Sequence, residues 1–322
     1  MLAPVVNCPA LIRKAVDSFK DLLGSTTEYQ SFVSALCAAI FGICGYSDTV
    51  RYLMFSPSVS SLFNFFHTEA LLPKLSRRHR LMVRNFFVKM KDDPARFVYA
   101  LDDTLVRRYG EKIWGTYIWH DHCTSAKYLS HRIVVLGLVD RKRRVMVPIH
   151  WEIMHRETET ASTEQAPSKK EHEKGWLTAI RLFDETMSNG FPKLSFVADS
   201  WFGCEEAFQR LTERGIDFVM EVRCNRKVVE AHRRKGIDIR VDQFFQGRAR
   251  HNIYFHDKRR YAAEANLLFK DSTQKLKVVA VANGKNIASN PYAYYITNRL
   301  TWNASKVWGL WCDRWTVEVQ FR

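Results

Sequence analysis

Missing from this 322-residue chain is any pair of cysteines at CxxC spacing. Its seven cysteines, Cys8, Cys37, Cys44, Cys123, Cys204, Cys224 and Cys312, stand singly and are odd in number. That pattern disfavours a disulfide framework or a zinc ribbon and fits the reduced thiols of an intracellular protein. Long apolar runs are absent too. The longest, SFVSALCAAIFGICGY at 31–46, falls short of the roughly 20 residues that span a bilayer, and its Ala, Gly, Ser and Cys content suits a buried helix. The N-terminus lacks the basic, apolar, small-residue layout of a signal peptide, so a soluble protein is expected. There is no GxSxG, GxxxxGK[ST] or GxGxxG, which argues against a serine hydrolase, a P-loop NTPase and a dinucleotide site. Acid is scarce as well: 34 Asp and Glu face 49 Lys and Arg, for a net charge of +15. Such an excess makes a polyanion the first partner to consider, nucleic acid ahead of a membrane surface.

What is present is globular: 46% apolar and 26% charged residues, in a length sufficient for two or three domains. Residues 1–95 read as a helical domain. LIRKAVDSFKDLL (11–23) sets Leu11, Ala15, Phe19 and Leu22 on one face, the 31–46 helix follows, and SPSVSSLFNFFH is a loop leading into a helix. KLSRRHRLMVRNFFVKMK (74–91) carries Arg77, Arg78, Arg80 and Arg84 with no acid among them. This basic amphipathic helix is the expected DNA-contacting element of the domain.

From Phe97 the period changes. FVYALDD is apolar on both faces, as in a central strand. RIVVLGLVD (132–140) and VMVPIHWEI (145–153), joined by RKRR, form a hairpin. WLTAIRLFDETMSNG is a helix stopped by Asn-Gly. Strand KLSFVAD, helix CEEAFQRLTERG and strand IDFVMEVR follow. Three strands and then alternating helix and strand define an α/β, RNase H-like core over 96–223. Residues 224–302 interrupt it as a β-rich insertion. Between 222 and 260 the chain holds twelve basic residues against four acids, a phosphate-facing composition. Residues 303–322, which include SKVWGLWCDRWTVEVQFR, close the chain as a core helix carrying the third acid.

Three acids occupy comparable places: Asp103 in LDDT, Asp199 in ADSWFG, and Glu318 on the terminal helix. In an RNase H-like sheet the first and fourth strands are neighbours, so their ends bring Asp103 and Asp199 together, and a helix across that edge adds a third carboxylate. Clustered carboxylates repel unless a cation joins them, and oxygen donors suit Mg²⁺ or Mn²⁺. Strand alternation sends only one of Asp102 and Asp103 into such a site, but burial on both faces leaves the choice open.

LDDT, ADSWFG and WCDRWTVE, in that order, resemble the motifs of cut-and-paste DDE transposases of bacterial insertion sequences. The resemblance covers nearly the whole chain and selects Asp103, the Asp directly before Thr, as the first acid. In the third motif Trp311 stands where the family has Tyr, followed by Arg314 and Glu318. The resemblance implies that Asp103, Asp199 and Glu318 are catalytic and hold two Mg²⁺ or Mn²⁺ ions. It implies that Arg314 and Trp311 contact DNA, and that the partners are double-stranded transposon ends and target. It further implies a synaptic homodimer and a bacterial, cytoplasmic, nucleoid-associated setting. The family signature continues to a Lys seven residues after its Glu, here position 325, beyond Arg322. A truncated chain is therefore expected, with a remnant that only binds DNA as the alternative to an active enzyme.

Plainer readings exist for each residue: a turn cap for Asp103, a helix cap for Asp199, a surface ion-pair ladder for Glu318 between Arg314 and Arg322. WHDHC, with His120, His122 and Cys123, offers zinc-type donors but no paired cysteines. The three acids in order, on this topology and in a basic chain, outweigh the separate explanations.

Overall fold

A computed structural model describes residues 17–41, 58–66, 71–90, 94–108, 116–121, 124–154, 175–230, 238–246, 248–255, 258–269, 274–284 and 293–316. The chain divides into two compact units, Met1–Asn85 and Phe86–Arg322.

The first unit is helical, as its pattern implies: α1 (Thr26–Phe41), α2 (Val59–Phe66) and α3 (Leu71–Met90), the last running across the division. The start of α1 is set by Ser25, whose Oγ accepts from the Glu28 amide at 3.1 Å, while Glu28 Oε2 accepts from the Gly24 amide at 2.5 Å. This reciprocal arrangement satisfies amides that a helix start leaves open. Val33, Leu62 and Phe65 are buried between the helices, and Phe32 bridges Phe19 and Phe65 with ring centroids 5.3 and 6.2 Å apart. The helix expected over 11–23 is interrupted at its end, where Lys20–Leu22 forms a 3₁₀ turn; residues 11–16 lie outside the described residues. Among the described residues no helix is long and apolar enough to cross a membrane.

The basic helix is α3, and its arginines differ in what they do. Arg77 is exposed and Arg84 half-buried. Arg78 pairs with Asp21 within the same unit. Arg80 is 8% exposed and donates to Ser76 Oγ at 2.8 Å. The Arg78 and Arg80 guanidinium groups are thus engaged in holding the helical unit together.

The second unit is built on one twelve-stranded sheet. Its strands are β1 (Phe97–Arg107), β2 (Tyr117–Asp121), β3 (Ala126–Asp140), β4 (Val145–Ile153), β5 (Phe196–Ala198), β6 (Phe218–Val222), β7 (Lys227–Glu230), β8 (Ile239–Arg240), β9 (His251–Phe255), β10 (Lys258–Phe269), β11 (Lys275–Ala282) and β12 (Ala293–Thr297). Among the described residues four α-helices accompany them: α4 (Gly175–Ser188), α5 (Glu205–Glu213), α6 (Val241–Phe245) and α7 (Ala304–Asp313). β4, β3 and β1 run antiparallel, and β5 joins β1 in parallel with β6 beyond it. The order β4-β3-β1-β5-β6 is that of the expected RNase H-like core. β3 is long enough for β2 to share its outer edge with β4, pairing over Ala126–Ser130 while β4 takes Ile133–Asp140.

The 224–302 region does not make a separate sheet. β12 pairs antiparallel with β6, and β11, β10, β7 and β8 continue outward from it. Backbone hydrogen bonding therefore runs from the core into the presumed insertion without a break. α7 closes one face: Val307, Trp308, Leu310 and Trp311 are buried against Val98, Ala100, Val197, Val219 and Tyr295. On α4, Phe183 meets Tyr99 and Phe196 edge-on, at 5.8 and 5.9 Å.

Candidate metal centre

The parallel pairing of β1 with β5 sets Tyr99, Ala100 and Leu101 opposite Phe196, Val197 and Ala198. Both strands are fully buried to this point, and both then turn to carboxylates: Asp102 and Asp103 on β1, Asp199 after β5. One oxygen from each of Asp102, Asp103 and Asp199 lies within 4.8 Å of one from each of the others. Alternation along β1 was expected to admit only one of the aspartates, and here the structure corrects it, since both reach the cluster. β5 ends at Ala198, so beyond Leu101 no strand continues alongside β1 on that edge to separate its two faces.

The three are held differently. Asp102 is 7% exposed, and both of its oxygens are engaged: Oδ1 accepts from the Asp103 amide at 3.0 Å, and Oδ2 from Arg314 Nη1 at 2.9 Å. Asp103 Oδ2 accepts from Arg132 Nε at 2.7 Å; its Oδ1 has no hydrogen-bond partner among the described residues. Asp199 Oδ1 accepts from the Trp201 amide at 2.9 Å, which shapes the turn before α5; the residue capping that helix is Cys204.

Burial pushes the Asp102 carboxyl up to about 7; Arg314 opposes this, and the neighbouring Asp199 and Asp103 charges add to it. Asp199 is likewise raised, by burial first and then by Asp103, with Arg314 working against it. A cluster whose own arginines do not restore ordinary acidity is short of positive charge. Its donors are all oxygen, which suits a hard divalent cation.

Arg314, expected to face DNA, is 6% exposed and caps the C-terminal end of α7. Its guanidinium packs near Trp311 and Trp315, at 5.2 and 5.8 Å from their ring centroids. Trp311 is 7% exposed and stacks obliquely on Tyr295 at 4.8 Å. Both are core residues in this structure, which ties the segment after α7 to β1 through Asp102. Glu318 lies outside the described residues, as do His122 and Cys123 of WHDHC. Among the described residues the candidate metal-holding group is the aspartate cluster.

One participant was missed in the sequence. Arg132 on β3 lies across from Leu105, two positions along from the Asp103–Val134 pair, so Arg132 and Asp103 are diagonal neighbours on one face. Its guanidinium lies 3.6 Å from the Trp201 ring centroid and 4.9 Å from that of Trp119. Trp201 rests in turn on Gly175, where a Cβ would come within 2.4 Å of the indole. The pattern RIVVLGLVD marks Arg132 only as the polar start of a strand.

This chain belongs to the DDE superfamily endonucleases, whose family model matches residues 57–285. That span includes Asp102, Asp103, Asp199 and Arg132. Among solved structures the chain is similar to the piggyBac transposase in a synaptic complex with hairpin DNA, at 11% identity and a TM-score of 0.45. The similarity covers 92% of this chain and 59% of that one. No curated protein matches.

Proposed function

We propose that this protein is a DNA transposase that hydrolyses phosphodiesters at transposon ends and joins the freed 3′ ends to target DNA, using Mg²⁺ or Mn²⁺. The observation that carries the reading is the convergence of Asp102, Asp103 and Asp199 within 4.8 Å in a member of an endonuclease family. Asp103 and Asp199 are the ligands in this proposal, with Glu318 as the third acid. Asp102 supports them, because the Asp103 amide and Arg314 already take both of its oxygens. Two divalent ions bound there would activate the attacking oxygen and stabilise the leaving one.

The chain's own residues provide the setting. Short, buried β5 fixes the spacing of Asp199 from β1, and Arg314 anchors the end of α7 to Asp102. Arg77 and Arg84 on α3 supply charge for the DNA backbone, whose contacts are chiefly electrostatic. A homodimer holding both transposon ends is part of the same reading.

The test is nicking of supercoiled plasmid with Mg²⁺ or Mn²⁺. Wild type should nick only with metal, and Asp103→Asn or Asp199→Asn should abolish nicking while duplex binding persists. Binding without nicking under either metal would instead identify a DNA-binding remnant.

A further inference from the structure

Three carboxylates in one place repel phosphate as well as each other, so a site of this kind needs a cation directed at its substrate. Arg314 does not serve: its charge is buried against Asp102. Arg132 is placed otherwise. Only its Nε is bonded, to Asp103 Oδ2 at 2.7 Å, and its side chain keeps 17% of its exposure. Neither terminal nitrogen has a hydrogen-bond partner among the described residues. The guanidinium carbon lies over the Trp201 ring and near that of Trp119, at 3.6 and 4.9 Å from their centroids, and aromatic neighbours of this kind pre-orient a guanidinium for a planar, two-pronged grip.

We propose that Arg132 is a phosphate-binding residue of the site, holding Asp103 through Nε and presenting both terminal amino groups to the nucleic-acid phosphate at the aspartate cluster. The inference rests on the reading of Asp103 and Asp199 as the cleavage site, and adds a substrate contact that none of the three acid motifs contains. Guanidinium suits the task better than ammonium, because one nitrogen can stay on the carboxylate while two others take phosphate oxygens. The stack through Trp201 to Gly175 keeps that geometry from depending on Asp103 alone.

The experiment compares wild type, Arg132→Gln and Arg132→Lys, each checked for folding by thermal melting. Binding of a short fluorescein-labelled duplex is followed by anisotropy across a salt series without divalent metal, and plasmid nicking is followed with Mn²⁺. Loss of one phosphate contact in Arg132→Gln should lower the slope of log affinity against log salt by about 0.9. Arg132→Lys should keep the slope, since it keeps the charge, but lose about tenfold or more in kcat through loss of the charge-assisted pair of bonds. An unchanged slope in Arg132→Gln overturns the inference, as does wild-type nicking by either variant. Should wild type bind but not nick, the cleavage reading fails and the salt slope alone decides the phosphate contact. Absence of duplex binding by wild type would overturn both. Should Arg132→Gln not fold, kcat of Arg132→Lys decides.

Discussion

Replacing Asp102 by Asn should stabilise this protein, although it removes one partner of a buried ion pair. Breaking such a pair ordinarily costs about 3–5 kcal/mol because a charge is left uncompensated. Here the balance lies the other way. Burial and the nearby Asp199 and Asp103 charges raise the Asp102 carboxyl from 3.8 to about 7 despite Arg314. The folded state therefore holds its proton more tightly than the unfolded chain does. Well below the unfolded-chain value of 3.8 both states are protonated and the group costs nothing. As pH rises from there the unfolded chain ionises first, so stability falls by roughly 1.4 kcal/mol per pH unit until the folded state ionises too. By neutral pH the accumulated cost is on the order of 4 kcal/mol. Asn is close in shape to the protonated acid and has no such titration. The stabilisation by Asp102→Asn should be small near pH 4.5, grow with pH, and level off above pH 7. Urea unfolding of both proteins across that range, with midpoints and slopes fitted together, measures it. Destabilisation by Asp102→Asn at pH 8 would refute the reasoning and show that Arg314 outweighs burial and like-charge repulsion.

Other outcomes follow from the same geometry. Arg314→Met should destabilise more at pH 8 than at pH 5, because at the lower pH Asp102 is already protonated; the same unfolding series reads the difference. Mn²⁺ should raise the melting temperature by a larger amount at pH 8 than at pH 5.5, since the cation binds the ionised Asp199 carboxylate, whose acidity is weakened, and its charge also favours ionised Asp102 beside it. Calorimetry of Asp199→Asn should lose that increment. Gly175→Ala, whose Cβ would lie 2.4 Å from the Trp201 ring, should cost about 1–3 kcal/mol by overpacking and shift the tryptophan fluorescence. Phe183→Ala, at a site 1% exposed, should cost about 3–5 kcal/mol in a thermal or urea melt.

Much of the core could be read from periodicity. The hairpin of β3 and β4, the helix α4 and the β5-α5-β6 succession each have an unambiguous repeat with a turn signal at its end. Their order implies that β1 and β5 are neighbours, and so that Asp103 and Asp199 meet. The choice within LDDT was not readable in this way. Six consecutive buried residues, Phe97–Asp102, carry no alternation, and whether both aspartates reach the site depends on where β5 stops. β2 was hidden because YIWHD is short and its histidine drew attention as a donor. The continuation of the sheet through β12 depends on a pairing between residues more than seventy positions apart, Met220 with Ile296, which no local pattern records. Arg132 was hidden for the same reason: it meets Asp103 across a strand pair and Trp201 across the sheet's parallel step.

The unbroken sheet has a geometric consequence. Each strand is rotated from its neighbour by roughly 20–25° in a fixed sense. From β1 through β5, β6 and β12 to β11 there are four such steps, so the far strands run on the order of 90° to the one that carries LDDT. Double-stranded DNA is straight over such distances, with a persistence length of about 50 nm. A duplex laid along β1 would meet β10 and β11 crosswise. On the proposed reading, the basic strands beyond β6 and the aspartate cluster would address different stretches of one duplex, or two separate duplexes, since a rod aligned with one cannot be aligned with the other.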